Sequence, residues 1–314
     1  MDQLDSMRVF VTVADAQSFA GAARQLKCSP AAVTRAVAAL EQHLGARLLH
    51  RTTRSLRLSE AGERYVADCR RILSALQEAD AVASGAHVEP QGHLVVTAPV
   101  LFGRIHIAPL LLDFLQVHPR LSAQALFVDR LVHLVEEGVD VAVRIAHLPD
   151  SSLTAVRVGS VRRVVVASPD YLAQRGEPTT PEQLGEHDAI GLAPSGGPVA
   201  PWRFARPGHP RSDLQASPSP RLQLSSNDSE VGIAAACAGR GLTRAMSYQV
   251  ANDVAAGRLC IVLAPFEPEP IPVHLVHPEG RRAAAKVRAF VDHAVAHLRA
   301  QPALNQAPDA TSSP

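Results

Sequence analysis

Ala31, Thr34, Arg35, Ala38 and Gln42 fall on one face of a helix, a face of short side chains broken by a single guanidinium. Such a helix fits the major groove of duplex DNA, where arginine bridges guanine O6 and N7 and a hydroxyl meets either a donor or an acceptor. Further along, Arg51, Thr52, Thr53, Arg54 and Arg57 supply the cations and hydroxyls that neutralise phosphates without reading sequence. With Ser18, Lys27, Ser29 and Pro30, these residues are the candidates for contact with double-stranded DNA. From Arg24 to Arg57 there are seven bases and one acid, Glu41, a net +6 in a chain whose total is +1. A compact basic module on a mildly acidic body is the footprint of a DNA-binding end, although a solvated basic face would give the same count. Aromatic residues are only 4% of the chain, which counts against RNA-binding sheets and single-strand grooves, because both stack bases on exposed rings.

Those side chains need short, closely packed helices behind them. Leu4, Met7, Phe10, Val11 and Ala14 recur as one helical stripe, and Ser18 stands as an N-cap before Phe19 to Leu26, where Ala22 and Ala23 permit close packing. This second helix stops at Lys27-Cys28. Ser29 followed by Pro30 is a further helix start, the serine capping free amides and the proline losing no hydrogen bond at the first position. That helix is expected to run to His43 or Leu44, with Val33, Ala36, Val37 and Leu40 as its buried side. After Gly45, Leu56 and Leu58 alternate with Ser55 and Arg57 as in a short hairpin, a wing. Ser59 caps a longer helix in which Tyr65, Cys69, Ile72, Leu76, Ala79 and Ala83 follow heptad steps. The seam predicts pairing with a second copy, against the alternative that it packs on its own domain.

The 314 residues amount to about two domains at roughly 150 residues each. At 46% hydrophobic and 19% charged, the composition excludes disorder. An acidic N-terminus in place of a cationic leader, and no apolar stretch nearing the ~18 residues of a membrane span, predict a soluble cytoplasmic protein. Ser84 to Gly92 reads as a linker. Beyond it, strands over 93–97, 121–128 and 139–145 alternate with helices over 107–117 and 131–137, predicting an α/β domain with a largely parallel sheet. A second lobe begins at Arg163 and ends near Phe266, and the chain from Pro270 returns to the first lobe, closing with a helix through Val287, Phe290, Val291 and Leu298. Residues 301–314 read as a flexible tail.

Other patterns carry less. Gly239-x-Gly241 has Arg244 where a dinucleotide fingerprint wants glycine, no Gly-Lys pair marks a phosphate loop, and no enzyme motif occurs. His293 and His297 are four apart on a helix but have no third ligand, and His274 and His277 would point to opposite faces of a strand, so no metal or cofactor is expected. Cys28, Cys69, Cys237 and Cys260 contain no C-x-x-C pair and read as reduced, buried thiols; a redox pair of Cys237 and Cys260 is the alternative.

Several runs together resemble the LysR-type family of bacterial transcriptional regulators along nearly the whole chain. They are Ser18-Phe19 with Ala22-Ala23, Ser29-Pro30-Ala31-Ala32-Val33-Thr34-Arg35, Leu40-Glu41, Leu44-Gly45, Arg51-Thr52-Thr53-Arg54 and Leu58-Ser59-Glu60-Ala61-Gly62. Weaker matches follow at Asp140 to Ile145, Ser168 to Leu172, Pro181 to Leu184 and Gly239-Arg240-Gly241. The chain departs from the family pattern at Pro30, where many members have glutamine, at Thr34, where serine is usual, and at Ala245-Met246-Ser247, where a leucine-proline pair is common.

The resemblance implies a winged helix-turn-helix domain over 1–58, a linker and dimerisation helix over 59–89, and an α/β two-lobed, periplasmic-binding-protein-like effector domain over 90–300. Lobe I is expected at about 90–162 and 268–300, lobe II at about 163–267. It also implies a homodimer or homotetramer on promoter DNA, a small-molecule effector in the interlobe cleft, and RNA polymerase as a further partner. By strand position the effector residues are Thr97, Ala98, Pro99, Val100, Arg144, Ile145, Ala146, Ser195, Gly196, Asn227 and Asp228. Arg144 facing the cleft would favour an anionic ligand, a structural salt bridge being the other reading. A solute-binding receptor without DNA function is the alternative for the whole chain, and an enzyme on the same body the third.

Overall fold

The computed structural model describes residues 2–51, 56–83, 89–193, 197–278 and 283–305. The N-terminal head is built from α1 (Gln3–Ala16), α2 (Phe19–Gln25) and α3 (Pro30–Leu44), then the hairpin of β1 (Leu49–Arg51) and β2 (Leu56–Leu58), and the long α4 (Glu60–Ala83). Each start is chemically marked. The Gly21 N–H donates to Ser18 Oγ (3.2 Å), that of Ala32 to Ser29 Oγ (3.2 Å) and that of Gly62 to Ser59 Oγ (3.0 Å), satisfying amides the helices leave free. α3 ends at Gly45, whose φ of +63° suits a residue without a side chain. The head's core joins Met7, Phe10, Val13, Ala22, Ala23, Val33, Val37, Leu40, Leu48 and Leu49 to Val66 and Cys69 of α4.

That core corrects the heptad reading of α4. Cys69 is fully buried inside its own head, and Tyr65 packs against Phe10 with ring centroids 6.0 Å apart, so neither forms part of an open seam. The steps of three and four had marked contact with α1 for these two. Ile72 stays exposed and Leu76 half-exposed, while the side chains of Ala79 and Ala83 and the linker residues 84–88 lie outside what is described.

The body has two five-stranded sheets. Its elements are β3 (Gly92–Ala98), α5 (Val100–Phe102), a π-helical turn (Gly103–Ile107), α6 (Ala108–Val117), β4 (Leu121–Phe127), β5 (Val141–Ile145), β6 (Thr154–Val161), β7 (Arg163–Ala167), α7 (Pro169–Arg175), β8 (Asp188–Leu192), β9 (Arg203–Ala205), β10 (Leu214–Ala216), β11 (Arg221–Ser226), α8 (Ser229–Cys237), β12 (Leu242–Met246), α9 (Ser247–Ala255), β13 (Cys260–Val262), β14 (Ile271–His277) and α10 (Ala285–Arg299). Lobe I orders its strands β4-β3-β5-β14-β6 and lobe II β11-β8-β12-β7-β13. Only β3–β4 and β3–β5, and β8–β11 and β8–β12, are parallel, so each sheet is mixed where a largely parallel one was expected. In lobe I the antiparallel half arises because β14 returns from lobe II and lies between β5 and β6, and in lobe II because β7 lies between β12 and β13 and runs against both.

Two crossovers join the lobes. Arg162, between β6 and β7, and Glu267, just before β14, form a nearly fully buried ion pair at 3.1 Å, and the Arg162 N–H donates to Ser247 Oγ (3.0 Å). The lobes also exchange side chains. Leu101 of α5 packs among Val164, Val166 and Ile233 of lobe II, and Tyr248 of α9 packs in the core of lobe I.

Four further expectations need correction. No helix forms over 131–137, because Glu137 turns back to accept from Arg130 (2.8 and 2.6 Å) and from the His133 N–H (3.0 Å), closing a single turn that Gly138 ends at a φ of +66°. The run Val100–Val117 is an apolar helix of 18 residues, long enough by composition to cross a bilayer. Here its Phe102, Ile107, Leu110, Leu111 and Phe114 are the buried side of lobe I. The tail is anchored at its start, since Leu304 is fully buried in lobe I over Gly159, where any Cβ would collide with it. Of the cysteines, only Cys69 is buried, while Cys28 and Cys260 are exposed and all four are free thiols.

Burial holds His93, His106, His187, His274 and His293 below the ordinary histidine value. The unfolded chain therefore takes up protons more readily than the folded one, so stability is complete above about pH 6.5 and declines as pH falls through the depressed values. Thermal melts between about pH 7.5 and about pH 5.5 should show Tm falling with acidification, with a shallower slope in His106→Phe. A flat profile would contradict this assignment.

Candidate nucleic-acid interface and interlobe cleft

α3 carries its apolar stripe inward. Val33, Ala36, Val37 and Leu40 are all buried, which leaves Ala31, Arg35, Ala38 and Gln42 exposed on the outer face with Thr34 partly so. Thr34 Oγ1 donates to the Pro30 carbonyl at 3.0 Å, so it offers a ligand an acceptor and a methyl group, not a donor. The Ser18 and Ser29 hydroxyl oxygens accept from their own helices, which frees their O–H groups to donate outward. Lys27, exposed at a φ of +52°, and exposed Arg57 extend the cationic surface on either side. Arg51 ends β1, but its side chain and all of Thr52, Thr53 and Arg54 lie outside the described residues. Glu41, the one acid between Arg24 and Arg57, has a structural task. Its Oε1 accepts from the N–H groups of Leu48 (2.8 Å) and Leu49 (3.1 Å), fastening the start of the wing hairpin to α3.

Between the lobes lies a cavity of about 790 Å³, within the size range of small-molecule sites. Thr97, Ala98 and Pro99 at the end of β3, Arg144, Ile145 and Ala146 at the end of β5, and Asn227 ahead of α8 all line it. Val100 does not, and its N–H donates to the Asp129 carboxylate (3.0 Å). Asp228 is also corrected. Its carboxylate accepts from the Glu230 N–H (2.9 Å) and caps α8 outside the cavity. Ser195 and Gly196 lie outside the described residues. Arg144 is held by a hydrogen bond from Nη2 to the Val132 carbonyl (3.1 Å), with no carboxylate within 4.0 Å among the described residues, so the salt-bridge reading is not what the structure shows.

Two lining residues escaped the sequence reading. Arg163 opens β7, whose other residues are apolar, and Arg244 stands in β12, where Thr243 is the one other polar residue, and both line the cavity. Neither has a carboxylate partner among the described residues. Arg244 lies 5.7 Å above the ring of buried Trp202. Burial, and then the Arg163 charge, hold the Arg244 guanidinium down at about 10. Arg130 is neutralised by Glu137, and Asp129 is the one acid among the described lining residues. A lone arginine inside a buried strand was the available signal, because such a charge must open onto a cavity or a partner. Tyr248, a buried residue of the lining, meets Phe102 edge-on at 5.2 Å, and Arg104 of lobe I pairs with Glu230 of lobe II.

The description "Bacterial regulatory helix-turn-helix protein, lysR family" matches residues 4–63, and "LysR substrate binding domain" matches residues 87–299. The chain belongs to the LysR-type family of transcriptional regulators. An HTH-type transcriptional repressor of Pseudomonas aeruginosa is 34% identical over 93% of this chain and 91% of its own length. The regulator CrgA of Neisseria meningitidis serogroup B is 32% identical over 94% and 96%. The solved structure of CrgA superposes with a TM-score of 0.59 at 30% identity, covering 94% of this chain and 98% of that one. The full-length structure of AphB, a Vibrio cholerae virulence activator, superposes with a TM-score of 0.58 at 26% identity over 95% of this chain and 100% of that one. Membership establishes a DNA-binding LysR-type regulator with an effector-binding domain, not an enzyme, and agrees with the head and the two-lobed body seen here.

Because Glu41 holds two amides at the head's turn into the wing, Glu41→Ala in this LysR-type regulator should destabilise the head by about 1–3 kcal/mol. Denaturant melts resolving head from body would show the early transition shifted and the late one unchanged.

Proposed function

We propose that this regulator reads a partly palindromic promoter site through α3 and changes transcription when a small anion enters the interlobe cleft. Thr34 and Arg35 face base edges, with Ala31 and Ala38 allowing close approach. Arg51, Thr52, Thr53, Arg54 and Arg57, with Lys27 and the Ser18 and Ser29 hydroxyls, hold phosphates. The observation that carries this reading is the division of α3, in which one wholly buried apolar stripe leaves exposed Arg35 among short side chains opposite it. For the effector, support comes from a cavity lined by Arg144, Arg163 and Arg244 and by a single acid among its described residues. Exposed Ile72 and half-exposed Leu76 on α4 remain as the apolar positions through which two copies pair, as a dimer or as half of a tetramer. The setting is the cytoplasm, with RNA polymerase as the downstream partner.

Footprinting with salt-titrated binding on the DNA upstream of the regulator's own gene tests the reading. A near-symmetric protected site with a steep salt slope is expected. Arg35→Ala should relax specificity by roughly 1–3 kcal/mol at one base position, whereas Arg54→Ala should weaken all DNA about equally and lower the salt slope by about one. Equal, uniform effects of both substitutions would overturn the assigned roles.

A further inference from the structure

In lobe II, β7 and β12 run antiparallel with Arg244 opposite Val165 and Met246 opposite Arg163. Residues directly opposite share a face, as do residues two apart on a strand, so Arg163 and Arg244 are diagonal neighbours pointing the same way. Both reach the cavity, and long side chains at such positions can converge on one group. Two adjacent half-buried guanidiniums without a counter-ion repel each other and are poorly hydrated, an arrangement that costs stability unless a ligand supplies the charge. Across the cavity Arg144 of lobe I commits one N–H to the Val132 carbonyl and keeps the rest of its donors. The rest of the lining mixes apolar Ile145, Ile190, Leu192 and Met246 with polar Thr97 and Asn227, and its one acid among the described residues, Asp129, accepts from the Val100 N–H.

We propose that the effector is a dicarboxylic acid, with one carboxylate held between Arg163 and Arg244 and the other by Arg144 on the opposite lobe. This rests on the anion-sensing reading above and specifies it. Planar guanidiniums match carboxylates bidentately, and a ligand gripped from both lobes draws them together. A phosphate would be served better by free backbone amides at a helix N-terminus. Of the helix starts among the described lining, that of α8 has its Glu230 N–H taken by the Asp228 carboxylate, and that of α9 has its Ser247 N–H taken by the Arg162 carbonyl.

The test is calorimetric titration of the full chain with matched acids: malonate through adipate against the monoacids of equal length, isophthalate against benzoate, and phenyl phosphate. At least one diacid should bind about tenfold more tightly than its monoacid, the gain expected of one further charge-assisted contact. Arg144→Gln should reduce that diacid to the affinity of the monoacid, and Arg163→Gln should weaken both. The unliganded Tm of Arg163→Gln should equal or exceed the parent's, showing that lost binding is not lost folding. The proposal is overturned if no diacid binds, if each binds like its monoacid, if phenyl phosphate binds best, or if Arg163→Gln lowers the unliganded Tm. The footprint is read without ligand, so a protected operator beside a cleft indifferent to diacids removes only this inference, whereas absence of an operator removes the regulator reading itself.

Discussion

The buried pair of Arg162 and Glu267 is the constraint on which the body is built. Each residue sits on a different crossover between the lobes, and Arg162 is tied to Ser247 at the start of α9 by both its N–H and its carbonyl. Separating such a pair would strand a charge in the interior at a cost of about 3–5 kcal/mol. The two crossing segments are therefore held side by side as one unit, and the strands that leave them, β7 and β14, carry fixed directions into both sheets. The position of the cavity follows, since its walls are the ends of β3, β5 and β12 together with the start of β7. The exchange of Leu101 and Tyr248 between the two cores fixes the same junction from its other side.

The head solves a smaller problem by similar means. A basic surface gains nothing from its own charges, so the helices that display it must be held by what lies beneath and at their ends. Serine caps begin α2, α3 and α4, and the Ser59 hydroxyl also donates to the Arg47 carbonyl at 2.6 Å, tying the start of α4 to the entry of the wing. Arg70 of α4 pairs with Asp15 of α1 on the outside of the same joint. Burial of Cys69 makes the first turns of α4 part of this domain, and the helix is free to serve another purpose only beyond it.

Legibility of the sequence tracked how local the deciding interaction was. Ser29-Pro30, the Val33-Ala36-Val37-Leu40 stripe and Gly45 each act within a few residues, and the helix they define has the expected ends. The heptad over Tyr65 to Ala83 failed at Cys69 because periodicity reports that a face is buried without saying against what. Residues 131–137 had helical spacing, but the Arg130 to Glu137 contact and Gly138 stopped the helix after one turn. The mixed sheet of lobe I was hidden because pairing of β14 with β5 and β6 depends on residues more than a hundred positions away. In the cleft, the strand-end rule located Thr97 to Pro99 and Arg144 to Ala146. It missed Arg163 and Arg244, whose importance comes from two strands lying side by side, and it placed Asp228 inside when the residue was needed as a cap.

Trp202 is the chain's single tryptophan, and it sits in the cavity wall with a guanidinium over its ring. Indole emission responds to the field of a nearby charge, and any occupant that draws Arg244 from the ring alters that field. No other indole in the sequence contributes a background. The regulator thus contains its own fluorophore at the place where occupancy matters, and its light output is an intrinsic, label-free gauge of whether the cleft is filled.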